Sequence, residues 1–331
     1  MTFNKKEYKV LDVLQKQKYI KIIKDKFEKE LAKQLDLTRV SAPLFVTQKS
    51  GLQDDLSGVE RKVAFDVLKD GQQIEIVQSL AKWKRFALKK YGIGLHKGLY
   101  ADMTAIRRDE NLDQTHSIYV DQWDWEKVID KRDRTISYLK QTVKKIVTAI
   151  ANTQKYLAKK GFALQEICKQ VCFVSSQELL QMYPNLSAKQ REYEITKKHK
   201  TVFVMQIGEK LSDGLPHDNR APDYDDWRLN GDLLFYNHIL DSAFEISSMG
   251  IRVDEQSLLH QIEMSNNSER LAYDYHKAIL SGDLPLSIGG GIGQSRLCQL
   301  LLGRAHIGEV QASYWDKQTI EDCKKAGVEL L

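Results

Sequence analysis

Apolar residues recur at intervals of three and four in two long segments of the chain. The first covers residues 10–35 and the second lies within residues 130–157, and lysines occupy many of the positions between. This spacing puts the apolar side chains on one face of a helix. The sequence therefore predicts two long amphipathic helices, with a third, residues 79–88, that begins at a plausible N-cap serine, Ser79.

Shorter apolar runs predict strands between these helices. Residues 61–68 and 73–77 flank an Asp-Gly turn typical of an antiparallel hairpin, and residues 229–237 and 243–253 have the pattern of a second one. Further strands are predicted at 171–175 and 201–208, at 98–106, and at 117–126. Residues 40–46 read as an extended segment that Pro43 confines to a sheet edge or a chain interface. No repeat or linker divides the chain, so residues 1–331 are predicted to form a single domain.

A glycine-rich stretch precedes a helical apolar run near the end of the chain. It contains Gly289, Gly290, Gly291 and Gly293, and Arg296 follows within the first turns of the predicted helix. Glycines let the backbone approach a flat or anionic ligand closely. Tight packing of a strand against a helix explains the same run equally well, and the stretch matches neither a Walker loop nor a dinucleotide fingerprint.

Polar residues interrupt two of the predicted strands. Gln122 and Asp124 share a face with Val120, so that face is not plain core. A buried carboxylate needs a partner, and either an arginine or a substrate ammonium would serve.

Asp232 and Glu245 likewise lie in otherwise apolar runs of the second hairpin. Oxygen ligands of this kind suit Mg²⁺ shared with nucleotide phosphates. Ion pairing to Arg252 or Arg296 is the structural alternative.

Three further polar groups have plain alternatives. Asp54 lies in a turn-rich loop whose polar residues could simply solvate the turn. The basic cluster of Lys82, Lys84 and Arg85 faces either anionic ligands or solvent, and composition favours solvent. The acid-rich loop at 219–227 could be a solvated surface.

Bulk composition excludes several classes of protein. Fifty basic and 45 acidic residues give a net charge of +5, and the densest basic patch, residues 197–200, is typical of a solvated surface, so nucleic-acid binding is not predicted. The four cysteines lack zinc spacing and indicate reduced thiols. Neither a signal peptide nor a long apolar stretch is found, so we expect a cytoplasmic protein that does not bind a membrane.

Several segments together resemble known families. A helix and strand ending at Pro43, the Arg107/Arg108 and Glu110 loop between strands, and the glycine run leading to Arg296 resemble the class II aminoacyl-tRNA synthetase core. More narrowly, the chain is similar to the ammonia-dependent aspartate–ammonia ligases, the A type of asparagine synthetase. The segments that carry this second resemblance are 53–58, 79–85, 119–126, 210–214, 220–227, 244–252 and 289–297.

The resemblance implies an α+β fold, an antiparallel β-sheet flanked by helices, and a homodimer. It also implies formation of asparagine from aspartate, ATP and ammonia through a β-aspartyl-adenylate, with release of AMP and pyrophosphate. Two alternatives are a synthetase-like paralogue that binds tRNA or a regulatory partner without making asparagine, and a ligase for another amine or acid. A separate anticodon-binding domain has no room in the chain, which argues against the first.

The resemblance and charge logic together assign candidate roles. Arg107 and Arg296 would stabilise the phosphate, and Arg107 is favoured over Arg108 where the family has one arginine. Asp54 and Gln122 would border the point of ammonia attack. The substrate-binding candidates are Ser79, Lys84, Asp124, Asp225, Ser248 and Arg252. The ATP-binding candidates are Arg107, Glu110, Asp232, Glu245, Gly289, Gly290, Gly291, Gly293 and Arg296, of which Asp232 and Glu245 would also bind Mg²⁺.

Overall fold

The structure is a computed structural model that describes residues 1–56, 58–162 and 167–331. Ser57, within the 53–58 motif, lies outside the described residues. The helices are as follows: α1 Val13–Leu35, α2 Ala81–Lys90, α3 Ile136–Lys159, α4 Ser176–Met182, α5 Ala188–His199, α6 Glu255–Met264, α7 Asp274–Leu280, α8 Gln294–Leu302 and α9 Lys317–Ala326.

The strands form one large sheet and one small sheet. Their bounds are β1 Leu37–Arg39, β2 Phe45–Val46, β3 Ala64–Asp66, β4 Gln73–Ile76, β5 Gly98–Ile106, β6 Tyr119–Val128, β7 Cys172–Ser175, β8 Thr201–Met205, β9 Asp225–Asn237, β10 Ser242–Arg252 and β11 Ser287–Gly293. The large sheet has the order β1-β5-β6-β11-β10-β9-β8-β7, and the small sheet has the order β2-β4-β3.

The large sheet is antiparallel through its centre. The two pairs at its edges, β1 with β5 and β7 with β8, are parallel. The predicted α+β class with an antiparallel sheet flanked by helices is therefore confirmed, with parallel pairing added at both margins. Both predicted hairpins are also confirmed, as β3 with β4 and β9 with β10.

Both long helices predicted from apolar spacing are present and pack against each other on one face of the large sheet. Helix α1 starts at a capping box, in which Asp12 accepts from the backbone of Gln15 and the Gln15 side chain accepts from the backbone of Asp12. Phe27 of α1 packs against Trp123 of β6, with ring centroids 4.7 Å apart. This face of the sheet is therefore closed by the core.

The opposite face of the sheet is only partly covered. Helix α2 packs there, where Leu88 joins a smaller apolar cluster with Leu99 and Met103 of β5. Next to α2 the sheet face stays open, and this opening positions the candidate site. Among the described residues, no helix is both long and apolar enough to cross a bilayer.

Candidate active site

Strand alternation explains how one strand serves both the core and an open cleft. Trp123 and Trp125 of β6 are buried in the main core. Successive side chains of a strand point to opposite faces, so Gln122, Asp124 and Glu126 lie on the other side, as the sequence predicted for Gln122 and Asp124.

The antiparallel register carries this polar face across four strands. Asp124 of β6 stands opposite Gly291 of β11, Gly291 stands opposite Ser248 of β10, and Ser248 stands opposite Asp232 of β9. Residues in register share a sheet face. A row of polar groups from distant parts of the chain therefore crosses the middle of the sheet.

A cleft of about 510 Å³ opens over this row. Nearly all of the predicted site residues line it: Asp54, Ser79, Lys84, Arg107, Glu110, Gln122, Asp124, Asp225, Glu245, Ser248, Arg252, Gly290, Gly291, Gly293 and Arg296. Two of the ATP-binding candidates, Gly289 and Asp232, do not line it. The structure thus brings together side chains that are up to 242 positions apart, from Asp54 to Arg296.

The glycines of β11 are required mainly by neighbouring side chains. A Cβ at Gly289 would lie 1.9 Å from a carboxylate oxygen of Glu126, and a Cβ at Gly291 would lie 2.2 Å from the amide oxygen of Gln122. The expectation that Gly289 makes room for nucleotide is therefore wrong in placement, because its space is filled by a buried ion pair. Gly290, Gly291 and Gly293 do border the cleft.

A buried lysine–carboxylate pair forms the floor of one end. The Lys84 ammonium contacts Asp124, and both side chains are at most 2% exposed. Lys84 also donates to the carbonyl of Gly290 at 2.9 Å. The second carboxylate oxygen of Asp124 is buried and has no hydrogen-bond partner, so this end of the cleft presents an acceptor that an incoming cation could satisfy.

Arg252 is held by two carboxylates beside that pair. It donates to Glu126 at 2.7 and 2.9 Å and to Asp225 at 2.5 Å. Burial raises the pKa of Asp225, which the charge of Arg252 opposes. Ser287 donates a further bond to Glu126 at 2.7 Å. The guanidinium is thereby fixed at the cleft wall with its charge compensated.

Asp54 reaches the same end of the cleft from its loop. The Ser79 hydroxyl donates to the Asp54 carboxylate at 2.5 Å, and the backbone of Leu56 donates to its other oxygen at 2.8 Å. The helix α2 starts at Ala81 with Leu80 in the N-cap position and no side-chain cap. The N-cap prediction for Ser79 is therefore wrong by one position, because Leu80 holds the N-cap. The Ser79 hydroxyl donates to Asp54 and accepts from the backbone of Ala81 at 3.3 Å.

The solvent-facing prediction for the basic cluster of α2 is also wrong. Lys82, Lys84 and Arg85 are each about 1% exposed. Lys82 pairs with Asp223 at 2.7 Å, and Arg85 donates to the carbonyls of Val253 and Pro285. Composition cannot distinguish a solvated lysine from a buried lysine that pairs with a carboxylate from a distant segment.

The acid-rich loop is largely buried. Asp223 accepts from Arg270 and His276, each at 3.0 Å, in addition to its pair with Lys82. Burial would raise the pKa of Asp223, but Lys82, the hydrogen bond from His276 and Arg270 hold it well below the ordinary range. The solvated-surface alternative therefore fails for Asp223, and the loop is tied firmly to α2 and α7.

Arginines line the other end of the cleft. Arg107 lies 3.8 Å from Glu110 and donates to the carbonyl of Gln78 at 3.4 Å. Arg108 is exposed and does not line the cleft. Of the two adjacent arginines, the favoured one, Arg107, is thus the one that faces the site.

Arg296 enters the same end from the first turn of α8. Asp121 fixes the start of this helix by accepting from the backbone and the hydroxyl of Ser295 at 3.0 and 2.9 Å. The Arg296 guanidinium lies 3.7 Å from the Glu245 carboxylate and donates to the Glu245 carbonyl at 3.1 Å. The ion-pair alternative for Glu245 is present, and the contact is loose.

Asp232 lies beneath this end of the cleft and is paired with Arg220, an arginine that sequence reasoning passed over. Burial raises the pKa of Asp232 to about 7, which Arg220 opposes and Glu245 reinforces. Burial would also raise the pKa of Glu245, but Arg296 and Arg220 hold it below its ordinary value. The two carboxylates are therefore close enough for the negative charge of one to raise the pKa of the other.

These two carboxylates fit a hard divalent cation. The second oxygen of Asp232 is buried without a partner, and Glu245 faces the cleft. Within the described residues no group of three or more histidine, cysteine or acidic side chains could hold a metal. The two carboxylates of Asp232 and Glu245 suit Mg²⁺, which usually takes one or two carboxylates and completes its shell with water and phosphate oxygens.

Glu126 and Arg220 are the site residues that sequence reasoning missed. Glu126 stood within a strand segment whose polar face had been recognised, and it continues that face by two positions after Asp124. Arg220 begins the segment 220–227, which is part of the family resemblance. Its role had no signal in the sequence, because only the fold pairs this loop residue with Asp232.

The fold and this cleft define the class to which the protein belongs. The structure is similar to the asparaginyl-tRNA synthetase of Entamoeba histolytica solved with asparaginyl-adenylate, with a TM-score of 0.66 at 14% identity, covering 92% of this chain and 68% of that one. The protein therefore has the fold of a class II aminoacyl-tRNA synthetase catalytic core.

Sequence comparison narrows the class to one family. The aspartate–ammonia ligase family matches residues 14–327. The chain is 55% identical to the aspartate–ammonia ligase of Clostridium tetani, over 98% of this chain and 96% of that protein. It is 53% identical to the one of Ruminiclostridium cellulolyticum, over 97% and 96%. The chain belongs to the aspartate–ammonia ligase family, and the resemblance inferred from its motifs is confirmed.

Proposed function

We propose that this protein makes L-asparagine from L-aspartate and ammonia, using ATP to form a β-aspartyl-adenylate and releasing AMP and pyrophosphate. The single observation that carries this proposal is the cleft itself. One end is built from buried pairs that leave a free oxygen on Asp124, and the other end is lined by Arg107 and Arg296. An amino acid would fill the first end, and the phosphates of a nucleoside triphosphate would fill the second.

The amino-acid end supplies recognition. The free oxygen of Asp124 would accept from the substrate ammonium, with Asp225 adding negative charge nearby. Lys84, Arg252 and Ser248 would provide donors for the two carboxylates, and Ser79 would join them only by giving up its bond to Asp54. Because most of these groups are buried, a ligand that lacks a partner would leave them unsatisfied, which is a strong source of discrimination.

The arginine end supplies activation. An oxygen of the aspartate β-carboxylate attacks the α-phosphorus, the bond to the β-phosphate oxygen breaks, and pyrophosphate leaves. Arg107 and Arg296 stabilise the charge that builds on the phosphate oxygens. Mg²⁺ held by Asp232 and Glu245 would neutralise charge on the phosphate chain. Glu110 would accept from the adenine amino group, and Gly290, Gly291 and Gly293 leave room for the nucleotide along β11.

Ammonia then replaces AMP. The ammonia nitrogen attacks the β-carbonyl carbon, the acyl–oxygen bond to AMP breaks, and the nitrogen must lose a proton. Asp54 borders the cleft and would take this proton, oriented by the Ser79 hydroxyl. Gln122 would border the path of attack.

We further propose that residues 1–331 act as one catalytic domain within a homodimer in the cytoplasm. The lining of the cleft runs from Asp54 to Gln311, so most of the chain contributes to one site. Among the described strands, β1 pairs only with β5 and leaves an edge free. Val10, just before α1, and Leu14, in its first turn, are 82% and 70% exposed.

The assay that tests the reaction uses purified protein with aspartate, ATP, Mg²⁺ and ammonium, and no tRNA. We expect equal amounts of asparagine, AMP and pyrophosphate. Release of ADP in place of AMP, or no asparagine without tRNA, would contradict the proposal. Replacing ammonium with hydroxylamine or glutamine, and aspartate with glutamate, tests for a ligase of another amine or acid.

The variant Asp54→Asn separates the two half-reactions. It keeps the shape of the side chain but removes the base, so we expect asparagine formation to fall by about 10²–10⁴. Exchange of labelled pyrophosphate into ATP, measured with aspartate but without ammonium, should stay close to that of the wild type. Equal loss of both rates would contradict the assignment of Asp54 to the ammonia step.

A further inference from the structure

The ion pair between Arg220 and Asp232 would be disturbed if Asp232 bound a metal. Its guanidinium is paired with one oxygen of Asp232, and its side chain lines the cleft. The other oxygen of Asp232 is buried and unpartnered. Among the described residues, Asp232 makes no other ion pair, so this arginine is its counter-cation.

A divalent cation and this guanidinium would compete for the same carboxylate. Asp232 and Glu245 are close enough to affect each other's charge, and Arg220 and Arg296 each compensate one of them. Binding a metal between the two carboxylates makes a second positive charge next to Arg220 unfavourable. A buried cation that loses its partner must find another anion.

We propose that Arg220 occupies Asp232 in the ligand-free protein, gives up this carboxylate when the divalent cation binds with ATP, and then binds the β- and γ-phosphates. The inference rests on the proposed function, and it adds a phosphate-binding residue that changes partner during binding. Besides Asp232, the carboxylates that act on Arg220 are Asp218 and Glu245. Glu245 would itself hold the metal, so the phosphates would be the main new partner, and guanidinium groups bind phosphate oxygens in a bidentate manner.

This exchange couples the metal to the nucleotide. Without ATP, a displaced Arg220 would have only Asp218 and Glu245 nearby, and Glu245 is shared with the metal, so the metal alone binds weakly. With ATP present, the displaced guanidinium gains the phosphates. Linkage requires that ATP strengthen metal binding by the same factor as the metal strengthens ATP binding.

The test is direct Mn²⁺ binding, followed by electron paramagnetic resonance of free Mn²⁺, without nucleotide or aspartate. For Arg220→Gln we expect Mn²⁺ to bind about tenfold more tightly than to the wild type, since its competitor is gone. The KM for ATP, measured with saturating Mg²⁺, should rise by about tenfold or more.

Two further variants complete the experiment. Arg228→Gln, an exposed arginine of β9 that pairs with Glu209, should match the wild type in both measurements. Arg220→Lys retains a charge for Asp232 but lacks the fork, so Mn²⁺ binding should stay near that of the wild type while the KM for ATP rises. If Arg220→Gln does not fold, the lysine variant alone decides, and an unchanged KM overturns the proposal.

Failure of this inference differs from failure of the reaction. If the wild type makes no asparagine, the proposed function is wrong whatever the Mn²⁺ result. If the wild type is active but Arg220→Gln binds Mn²⁺ no more tightly, or keeps its KM for ATP, then the arginine does not exchange partners and the inference is overturned.

Discussion

The two ends of the cleft hold their charges in different ways. At the amino-acid end, Lys84 with Asp124 and Arg252 with Glu126 are buried pairs whose side chains are at most 2% exposed. At the phosphate end, Arg107 lies 3.8 Å from Glu110 with about a quarter of each side chain exposed. The Arg296 pair with Glu245 is similarly loose, at 3.7 Å.

This difference indicates which end is fixed before substrate arrives. Buried, hydrogen-bonded pairs keep one geometry, because separating them would leave an uncompensated charge in a region without water. Loose, partly solvated pairs cost little to rearrange. We infer that the amino-acid end is preorganised to select aspartate, and that the Arg107 and Arg296 pairs of the phosphate end adjust when the triphosphate brings its own charge. The closer pair of Arg220 with Asp232 at that end would separate only when Arg220 gains a new partner.

The largest effect should come from breaking a buried pair, with Lys84→Met. Removing the ammonium leaves Asp124 buried without its partner, so we expect a loss of about 3–5 kcal/mol in the free energy of unfolding. Asparagine formation should be abolished with it. Urea denaturation followed by fluorescence measures the first effect and the ligase assay the second.

A lysine at the other end of the same helix is the matched control. Lys89→Met breaks an ion pair with Asp283 in which both side chains are about half exposed. We expect a change of within about 0.5 kcal/mol in stability and wild-type activity. Equal losses in the two variants would remove the contrast between buried and exposed pairs.

A smaller effect on stability and a large one on rate should follow from Arg296→Ala. The lost pair is loose, so the melting temperature should change little. The rate should fall by about 10²–10³, the usual cost of one donor to a developing charge. Arg108→Ala, which alters an exposed neighbour of Arg107, should leave kcat/KM unchanged. A strongly lowered melting temperature for Arg296→Ala would mean that the two ends are equally rigid.

The smallest expected effect is a loss of unfolding free energy at acid pH caused by His306, which lies beside the phosphate end of the cleft. His306 precedes Ile307, which lines the cleft, and its Nδ1 accepts from the backbone of Gly308 at 3.0 Å. Burial lowers the pKa of His306 from 6.5 to about 4, opposed by Asp113. The imidazole is therefore neutral in the folded protein at neutral pH.

The sign of the pH effect follows from this lowered pKa. As the pH falls, the unfolded chain takes up the proton first, so stability is complete above about 6.5 and is lost towards about 4. The contribution of His306 to this loss at about pH 5 is about 2 kcal/mol. In His306→Gln, the drop in unfolding free energy between about pH 7 and pH 5 should be smaller by that amount. An identical drop would show that the ring is already solvated.

Local pattern was enough to predict most of the elements. Apolar spacing predicted α1 and α3, the Asp-Gly turn predicted the hairpin of β3 and β4, and the alternation along residues 117–126 predicted the polar face of β6. These predictions succeeded because helix and strand periodicity depends on near neighbours. Motif resemblance then predicted which side chains meet in the cleft.

The failed predictions all concern partners that are distant in sequence. The sequence predicts Ser79 as the N-cap of α2, whereas its hydroxyl donates to Asp54, 25 positions away. Lys82 looked solvated until Asp223 supplied its charge, and Gly289 looked like a nucleotide contact until Glu126 filled its space. The sequence by itself determined most of the secondary-structure elements, the family and most of the residues that line the cleft. Only the tertiary structure decided which charge each group meets, because the cost of burying a charge depends on a partner that another segment must bring.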